Sequence, residues 1–263
     1  MRSSSDIEFL KLLLSDSNLP TGGFVASSGL ESFIGHGQSH GQLTHTALID
    51  FLRFSCDNTA STTLAYISGV HSIIRDTPTP TPTRTQLEQL KRLDGVHDAQ
   101  MLNHAAKRAS KAQGMAILTL HAKSFGGHDV IRDFRHAVRS ASSEGHLAIC
   151  WGLMTAVLGM PSQDAQHLHL FLHARSLLSA AVRLNVLGPY AAQKILLHDA
   201  RDIVDSAFHR CCHVRVGNLD SVVGDYVYDT DDADDHIGPA TTWPLIELIG
   251  SRHDLLHTRI FNS

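Results

Sequence analysis

The segment DAQMLNHAAKRASKAQGMAILTL, residues 98–120, decides the fold class because its apolar and small residues repeat with the period of an α-helix. These residues recur every three or four positions and share one helix face: Leu102, Ala105, Ala106, Ala109, Ala116, Ile117 and Leu120. The alanines among them would allow a neighbouring helix to approach closely. The pattern predicts one long helix over residues 98–120.

The helical period continues on both sides of this segment. It predicts further helices over residues 44–56, 145–158, 164–187 and 190–214. Strand-like patterns at Val214–Val216 and Val222–Tyr228 are too short and isolated to form a sheet. The predicted fold is therefore all-α, a single domain over residues 1–263 built from roughly eight to ten helices.

Composition and charge exclude several classes of protein. The chain has 263 residues, of which 43% are hydrophobic, so it can form a buried core and is not disordered throughout. Its 22 basic and 26 acidic residues give a net charge of −4 without a basic run, which argues against binding to nucleic acid. No apolar stretch approaches the ~20 residues of a membrane span, and the N-terminus lacks the features of a signal peptide. We therefore predict neither a nucleic-acid nor a membrane partner.

Two segments interrupt the helical pattern. Residues 77–84 alternate proline with threonine and predict an extended, proline-rich insert. Residues 225–236 contain six aspartates and predict a solvated acidic loop. Within this loop, Asp231–Asp235 fits the D-D-x-x-D pattern with which some all-α enzymes hold Mg²⁺ through hard carboxylate oxygens. A Mg²⁺-dependent all-α enzyme is therefore one alternative function.

The chain has 19 histidines and only four cysteines. His209, Cys212 and His213 are the strongest metal-ligand candidates, because on a continuous helix they would share a face and offer ligands suited to Zn²⁺ or Ni²⁺. The structural alternative is that the cysteines pack in the core and the histidines lie at its rim. A His-rich nickel carrier is a second alternative function. The cysteines are too few for a disulfide framework, which indicates a reducing compartment such as the cytoplasm.

Motifs for several reaction types are missing from the sequence. The chain contains neither the phosphate-binding loop G-x-x-x-x-G-K-[ST], nor the nucleophile motif G-x-S-x-G, nor the zinc-protease motif H-E-x-x-H. We therefore predict no catalytic residues and no intrinsic nucleotide hydrolysis.

Four segments, in order along the chain, resemble the UreF family of urease accessory proteins. LLLSDSNLPTGGFVASSGLE at residues 12–31 is similar to the family signature S-D-x-x-L-P-x-G-x-F followed by S-x-G-L-E. LDGVHDAQMLNHAAKRASKAQG at residues 93–114 contains a similar R-x-A-S-x-x-Q-G core. SAAVRLNVLGPYAAQKIL at residues 179–196 resembles A-A-V-R-L-x-x-L-G, and HDLLHTRIFNS at residues 253–263 resembles H-x-x-L-x-x-R-[LI]-F-x-S.

This resemblance implies a maturation factor that is not an enzyme. UreF proteins are all-α, tend to form homodimers, and act in the cytoplasm with the GTPase UreG and the scaffold UreD, also called UreH. Together they deliver Ni²⁺ to apo-urease, and UreF is thought to bridge UreD and UreG and to control GTP hydrolysis. The resemblance implies no stably bound cofactor, with Ni²⁺ at most a transient ligand.

The resemblance is densest near the two ends of the chain, which are therefore candidate partner-binding segments. Arginine and aromatic side chains are frequent interface hot spots, which favours Arg259 and Phe261, with Ser263 beside them. In the N-terminal segment the candidates are Pro20, Gly22 and Phe24. The alternatives are a C-terminal tail docked on its own core and an N-terminal turn that is purely architectural. Arg108 and Arg183 are expected to bind backbone carbonyl groups inside the protein, and the alternative is that they line a polar route through it.

Overall fold

A computed structural model describes residues 4–37, 43–75, 84–217 and 238–262. These residues contain eleven α-helices and no β-strand, which confirms the all-α class. The helices are α1 (Ser4–Leu14), α2 (Leu30–His36), α3 (His45–Arg75), α4 (Arg84–Gln100), α5 (His104–Ser124), α6 (Asp129–Arg139), α7 (Leu147–Val157), α8 (Ser162–Arg183), α9 (Pro189–Leu197), α10 (Asp199–Cys211) and α11 (Pro244–Ser251). Short 3-10 turns occur at Gly23–Val25 and His253–Leu255. None of the described helices combines the length and apolar character that a membrane span requires.

The core is organised around α7. Every residue from Ala148 to Thr155 is buried, so this helix has no solvent face and must be covered on all sides. The long helix α3 packs along it, with α5 and α8 as further neighbours. A Cβ atom at Gly152 would lie only 3.1 Å from the Cβ atom of Val70. Glycine at this position therefore lets α7 and α3 approach closely.

The predicted helix over residues 98–120 is divided in two, which corrects the sequence-based boundary. Helix α4 ends at Gln100, and α5 begins after Asn103, whose side chain accepts hydrogen bonds from the backbone N–H groups of Ala105 and Ala106. Asparagine is a preferred N-cap residue, and it competes with helix continuation at this point. Leu102, which the periodicity placed on the buried face, is 83% exposed.

The predicted helix over residues 190–214 is also divided, at His198, where α9 ends and α10 begins. Asp199 and Asp202 lie in the first turn of α10, where carboxylates interact favourably with the helix dipole. Divisions of this kind and the short helices near the chain ends raise the helix count above the predicted eight to ten. Val214–Val216 is not a strand. Val222–Tyr228, the acidic loop 225–236 and residues 77–83 of the proline-rich insert lie outside the described residues.

A buried carboxylate fixes the start of α7. Asp94 of α4 is fully buried and accepts hydrogen bonds from Ser143 Oγ and from the backbone N–H groups of Glu144, Gly145 and His146, at 2.7–3.0 Å. These donors include N–H groups next to the first turn of α7, which have no partner within a helix. The side chain of a single residue therefore connects α4 to the segment that leads into α7.

We expect Asp94→Ala to lower the free energy of unfolding by about 3 kcal/mol, because it leaves several buried donors without an acceptor. Urea unfolding followed by circular dichroism measures this change. The matched control is Asp50→Ala, since Asp50 is about half exposed and forms only a 3.6 Å ion pair with Arg53. The control should change stability by less than about 0.5 kcal/mol. Equal effects of the two substitutions would contradict the role given to Asp94.

Candidate functional site

The first part of the candidate site is the N-terminal loop, residues 15–29, which connects α1 to α2. Gly22 has a φ angle of 72°, in the left-handed region that favours glycine. A Cβ atom at Gly22 or Gly23 would lie within 3.8 Å of side-chain atoms of Gln113 on α5. The backbone of the loop therefore lies directly against α5.

Two arginines of α8 also hold this loop. Arg175 donates a hydrogen bond to the backbone carbonyl oxygen of Ser15, and Arg183 donates one to that of Phe24. The two arginines are eight residues apart, or about 12 Å along the helix, so they bind the loop at two separate points. Burial lowers the pKa of both guanidinium groups, but arginine remains protonated in proteins. The prediction that Arg183 binds a backbone carbonyl group is confirmed.

The second part is the C-terminal arm, residues 258–262, which is docked on the body of the protein. The Glu31 carboxylate accepts hydrogen bonds from the N–H groups of Ile260 and Phe261, at 2.6 and 3.1 Å. His253 Nε2 lies 3.1 Å from the carbonyl oxygen of Phe261. The N–H group of Asn262 donates to the carbonyl oxygen of Val25 at 2.9 Å, which connects the arm directly to the N-terminal loop.

An ion cluster centred on Asp254 lies beside the arm. Arg108 binds the Asp254 carboxylate through two hydrogen bonds of 2.9 and 3.1 Å, and Arg259 adds a third of 2.8 Å. His104 Nε2 lies 3.2 Å from the same carboxylate. The pKa of the Asp254 carboxyl group is lowered to about 2, and the hydrogen bond from Arg108 is the largest cause of this shift. Arg108 also donates to the Asn262 carbonyl oxygen at 3.0 Å, so the predicted bond to a backbone carbonyl group forms, but at the surface instead of inside the protein.

The N-terminal loop, the C-terminal arm and the side chains that hold them form one site, which we name the terminal junction. Its supporting side chains are Glu31, Arg108, Arg183, His253 and Asp254. Phe261, predicted to face a partner, has a ring that is only 2% exposed and is covered by this chain itself. The alternative of a tail docked on its own core is the arrangement observed.

The other predicted partner-binding residues remain predictions. Arg259 and Phe24 are exposed, and one face of the Phe24 ring lies 3.8 Å from the Arg183 guanidinium carbon. Pro20 and Gly22 are exposed within the N-terminal loop. Ser263 lies outside the described residues.

A cavity of about 1570 Å³ extends inward from the N-terminal loop. Polar side chains of α3, α4 and α8 are among the residues that line it: Ser55, Thr59, His97, His169 and His173. His173 Nε2 lies 2.8 Å from Ser55 Oγ and 3.2 Å from Thr59 Oγ1. Burial lowers the pKa values of His97 and His169 to about 3 and that of His173 to about 4. All three imidazoles are therefore neutral at physiological pH.

The structure removes the geometric reason for a metal site at His209, Cys212 and His213. Helix α10 ends at Cys211, so His213 lies beyond the helix and does not share a face with His209. Both histidines are exposed. Within the described ranges, no three His, Cys, Asp or Glu side chains are grouped so that they could hold a metal ion.

Sequence reasoning missed Glu31, His253 and Asp254, although two of the resembling segments contain them. Glu31 binds backbone groups 229 and 230 positions away in the chain. No local pattern indicates a contact over such a separation. The only signal was the clustering of marked residues near both chain ends.

We expect Phe261→Ala to lower the free energy of unfolding by about 2 kcal/mol, because it removes a buried aromatic ring from a terminal segment that can detach locally. Thermal and urea unfolding measure this loss. The control is Ile260→Ala, since Ile260 is the preceding residue but is 62% exposed. If both variants were equally stable, Phe261 would not hold the arm.

Buried histidines make stability depend on pH. The folded-state pKa values of His71, His97, His169 and His173 lie at about 3–4, against 6.5 for an exposed imidazole, with burial as the largest cause. Between these values the unfolded chain binds protons that the folded chain does not, so stability falls as the pH is lowered from about 6.5 to 4. The expected loss approaches roughly 1.4 kcal/mol per pH unit for each histidine.

Urea midpoints measured between pH 7 and 4.5 test this dependence. His169→Gln should make the dependence of the unfolding free energy on pH less steep, because about one proton fewer is taken up on unfolding. The matched control is His213→Gln, which removes an exposed imidazole instead of a buried one. A stability curve without slope in this range would contradict neutral burial of the four histidines.

Comparison with known proteins assigns the family. A sequence model of the UreF family matches residues 44–199, more than half of the chain. Urease accessory protein 6 of Cryptococcus neoformans var. grubii is 38% identical, over 97% of this chain and 96% of the relative. Urease accessory protein F of Arabidopsis thaliana is 29% identical, over 100% of this chain and 95% of the relative. Urease accessory protein UreF of Paenarthrobacter aurescens is 31% identical, over 74% of this chain and 80% of the relative. The chain therefore belongs to the UreF family of urease accessory proteins.

Proposed function

We propose that this chain bridges a UreD/UreH-type scaffold and the GTPase UreG, and that it regulates the GTP-dependent delivery of nickel to apo-urease. Membership of the family supports the general role in urease maturation. The observation that most strongly supports the proposal is the 38% identity to a urease accessory protein over nearly the full length of both chains.

The terminal junction is the surface that we assign to the scaffold. It presents exposed Phe24, Arg259 and Ile260 around the buried Phe261. Arg259 and Arg108 both contact a single carboxylate, Asp254, so the cluster has an excess of positive charge. Arginine and aromatic side chains around a buried centre are typical of interface hot spots. A partner would therefore find a partly apolar surface with guanidinium donors at its edge.

In this proposal the chain is not an enzyme. Its sequence has no phosphate-binding loop, so GTP hydrolysis is assigned to UreG. Nickel is cargo that contacts this chain at most transiently, and no stably bound cofactor is part of the proposal. The protein acts in the cytoplasm, as a homodimer, within a complex that contains apo-urease.

Neither alternative function gains support from the described residues. The Asp231–Asp235 cluster of the Mg²⁺-enzyme alternative lies outside them. The carrier alternative requires a concentrated set of metal ligands, and the described part of the chain contains no group of three.

Co-expression with a UreD-like protein, UreG and apo-urease tests the proposal. We expect the four proteins to purify as one complex and urease activity to depend on this chain, nickel and GTP. Arg259→Ala should weaken capture of the UreD-like protein about 30-fold, equivalent to about 2 kcal/mol, if Arg259 is a hot spot.

Arg53→Ala is the control for this experiment, because Arg53 is an exposed arginine on α3 outside the terminal junction. Normal capture by Arg259→Ala would remove Arg259 from the interface. Failure of the unmodified chain to bind any of the three proteins would contradict the proposed function as a whole.

A further inference from the structure

The N-terminal loop forms one wall of the cavity. All residues from Leu14 to Phe24 line it. The loop changes direction at positions with positive φ angles, namely Gly22 at 72°, Ser28 at 52° and Gly29 at 82°. Arg175 binds the carbonyl oxygen of Ser15 at its first end, and Arg183 binds that of Phe24 near its second end. This wall is therefore held by side chains and by single backbone bonds instead of a helix or a sheet.

The C-terminal arm is joined to the second end of this loop through Arg183. The Arg183 guanidinium carbon lies 3.8 Å from the centre of the Phe24 ring and 4.2 Å from that of the Phe261 ring. Both distances lie within the roughly 6 Å over which cations attract aromatic faces. The guanidinium group is thus held between one ring of the loop and one ring of the arm.

A backbone hydrogen bond makes the same connection. The N–H group of Asn262 donates to the carbonyl oxygen of Val25, the residue that follows Phe24. Detachment of the arm would break this bond and expose the Phe261 ring, while Arg183 would keep its hydrogen bond to the Phe24 carbonyl oxygen and its contact with the Phe24 ring. The loop would lose its bond to the arm at Val25, and Arg183 would lose the Phe261 ring that fixes the guanidinium group on its other side.

We propose that the C-terminal arm is a latch on the N-terminal loop, so that release of the arm opens the cavity wall between Leu19 and Phe24. Arg183 is the positioning residue that couples the two segments. Docking of the arm closes the wall by fixing Arg183 and Val25, and undocking lets the loop hinge at Gly22 and at Ser28–Gly29. The latch does not depend on the partners proposed above, since all of its contacts lie within one chain.

Tryptophan fluorescence provides a direct readout of this opening. The chain has two tryptophans, Trp151 and Trp243, and both line the cavity. In a Trp243→Phe background, Trp151 is the only indole, and it is 2% exposed with the arm docked. Acrylamide, a small neutral quencher, should therefore quench it weakly while the wall is closed.

Two substitutions release the arm without altering a residue that lines the cavity. Glu31→Gln replaces one of the two acceptor oxygens for the arm, and Phe261→Ala removes the ring that contacts Arg183. We expect each to raise the acrylamide quenching constant of Trp151 at least two-fold. Hydrogen exchange of residues 258–262 should become faster in the same variants, and circular dichroism verifies that the helices are retained.

The matched control is Ile260→Ala, which shortens an exposed side chain of the arm and should leave quenching unchanged. Adding Arg183→Lys to Phe261→Ala should cause little further increase, because both substitutions act on the same connection. Faster exchange of the arm without increased quenching of Trp151 would overturn the latch. An equal increase in the Ile260→Ala control would also overturn it. If Glu31→Gln does not fold, Phe261→Ala gives the same decision.

Discussion

The structure depends on the burial of α7 on every side. A helix without a solvent face cannot rely on water for any polar group at its ends or within it, so neighbouring elements must supply each partner. The Asp94 carboxylate of α4 serves the segment before its first turn, and His71 Nε2 of α3 lies 3.0 Å from Thr155 Oγ1. Trp151 Nε1 donates to the Ala165 carbonyl oxygen at 2.9 Å. The positions of α3, α4, α5 and α8 all follow from the need to enclose this helix.

Charged groups serve a different purpose at the periphery. Asp94 is fully buried and fixes the core, whereas Asp254 is about one third exposed and is shared among several cationic side chains. Exposed ion pairs contribute little to stability because water competes for both partners. The ion cluster of the terminal junction is therefore specific in geometry but contributes little to stability.

Local patterns in the sequence predicted the helical class and most helices, because amphipathic periodicity reports directly which face is buried. They failed where a polar side chain competes with helix continuation, as at Asn103, since one N-cap interrupts an otherwise continuous apolar face. The pairing of Glu31 with the arm could not be predicted, because nothing local indicates contacts between residues more than 200 positions apart. For the same reason Phe261 was expected to face a partner, although the pocket that buries it is formed by distant segments of its own chain.

The contact between α5 and α7 at Gly114 has a consequence for genetics. Glycine within a helix costs about 1 kcal/mol relative to alanine, so local preference alone would favour a substitution here. However, a Cβ atom at this position would overlap the carbonyl oxygen of Gly145 and lie 3.0 Å from Cys150 Sγ. A screen for cells that cannot activate urease would therefore recover Gly114 variants, because the misfolded chain would be lost from the cell. Measuring the amount of this protein in each mutant distinguishes them from variants that fold normally.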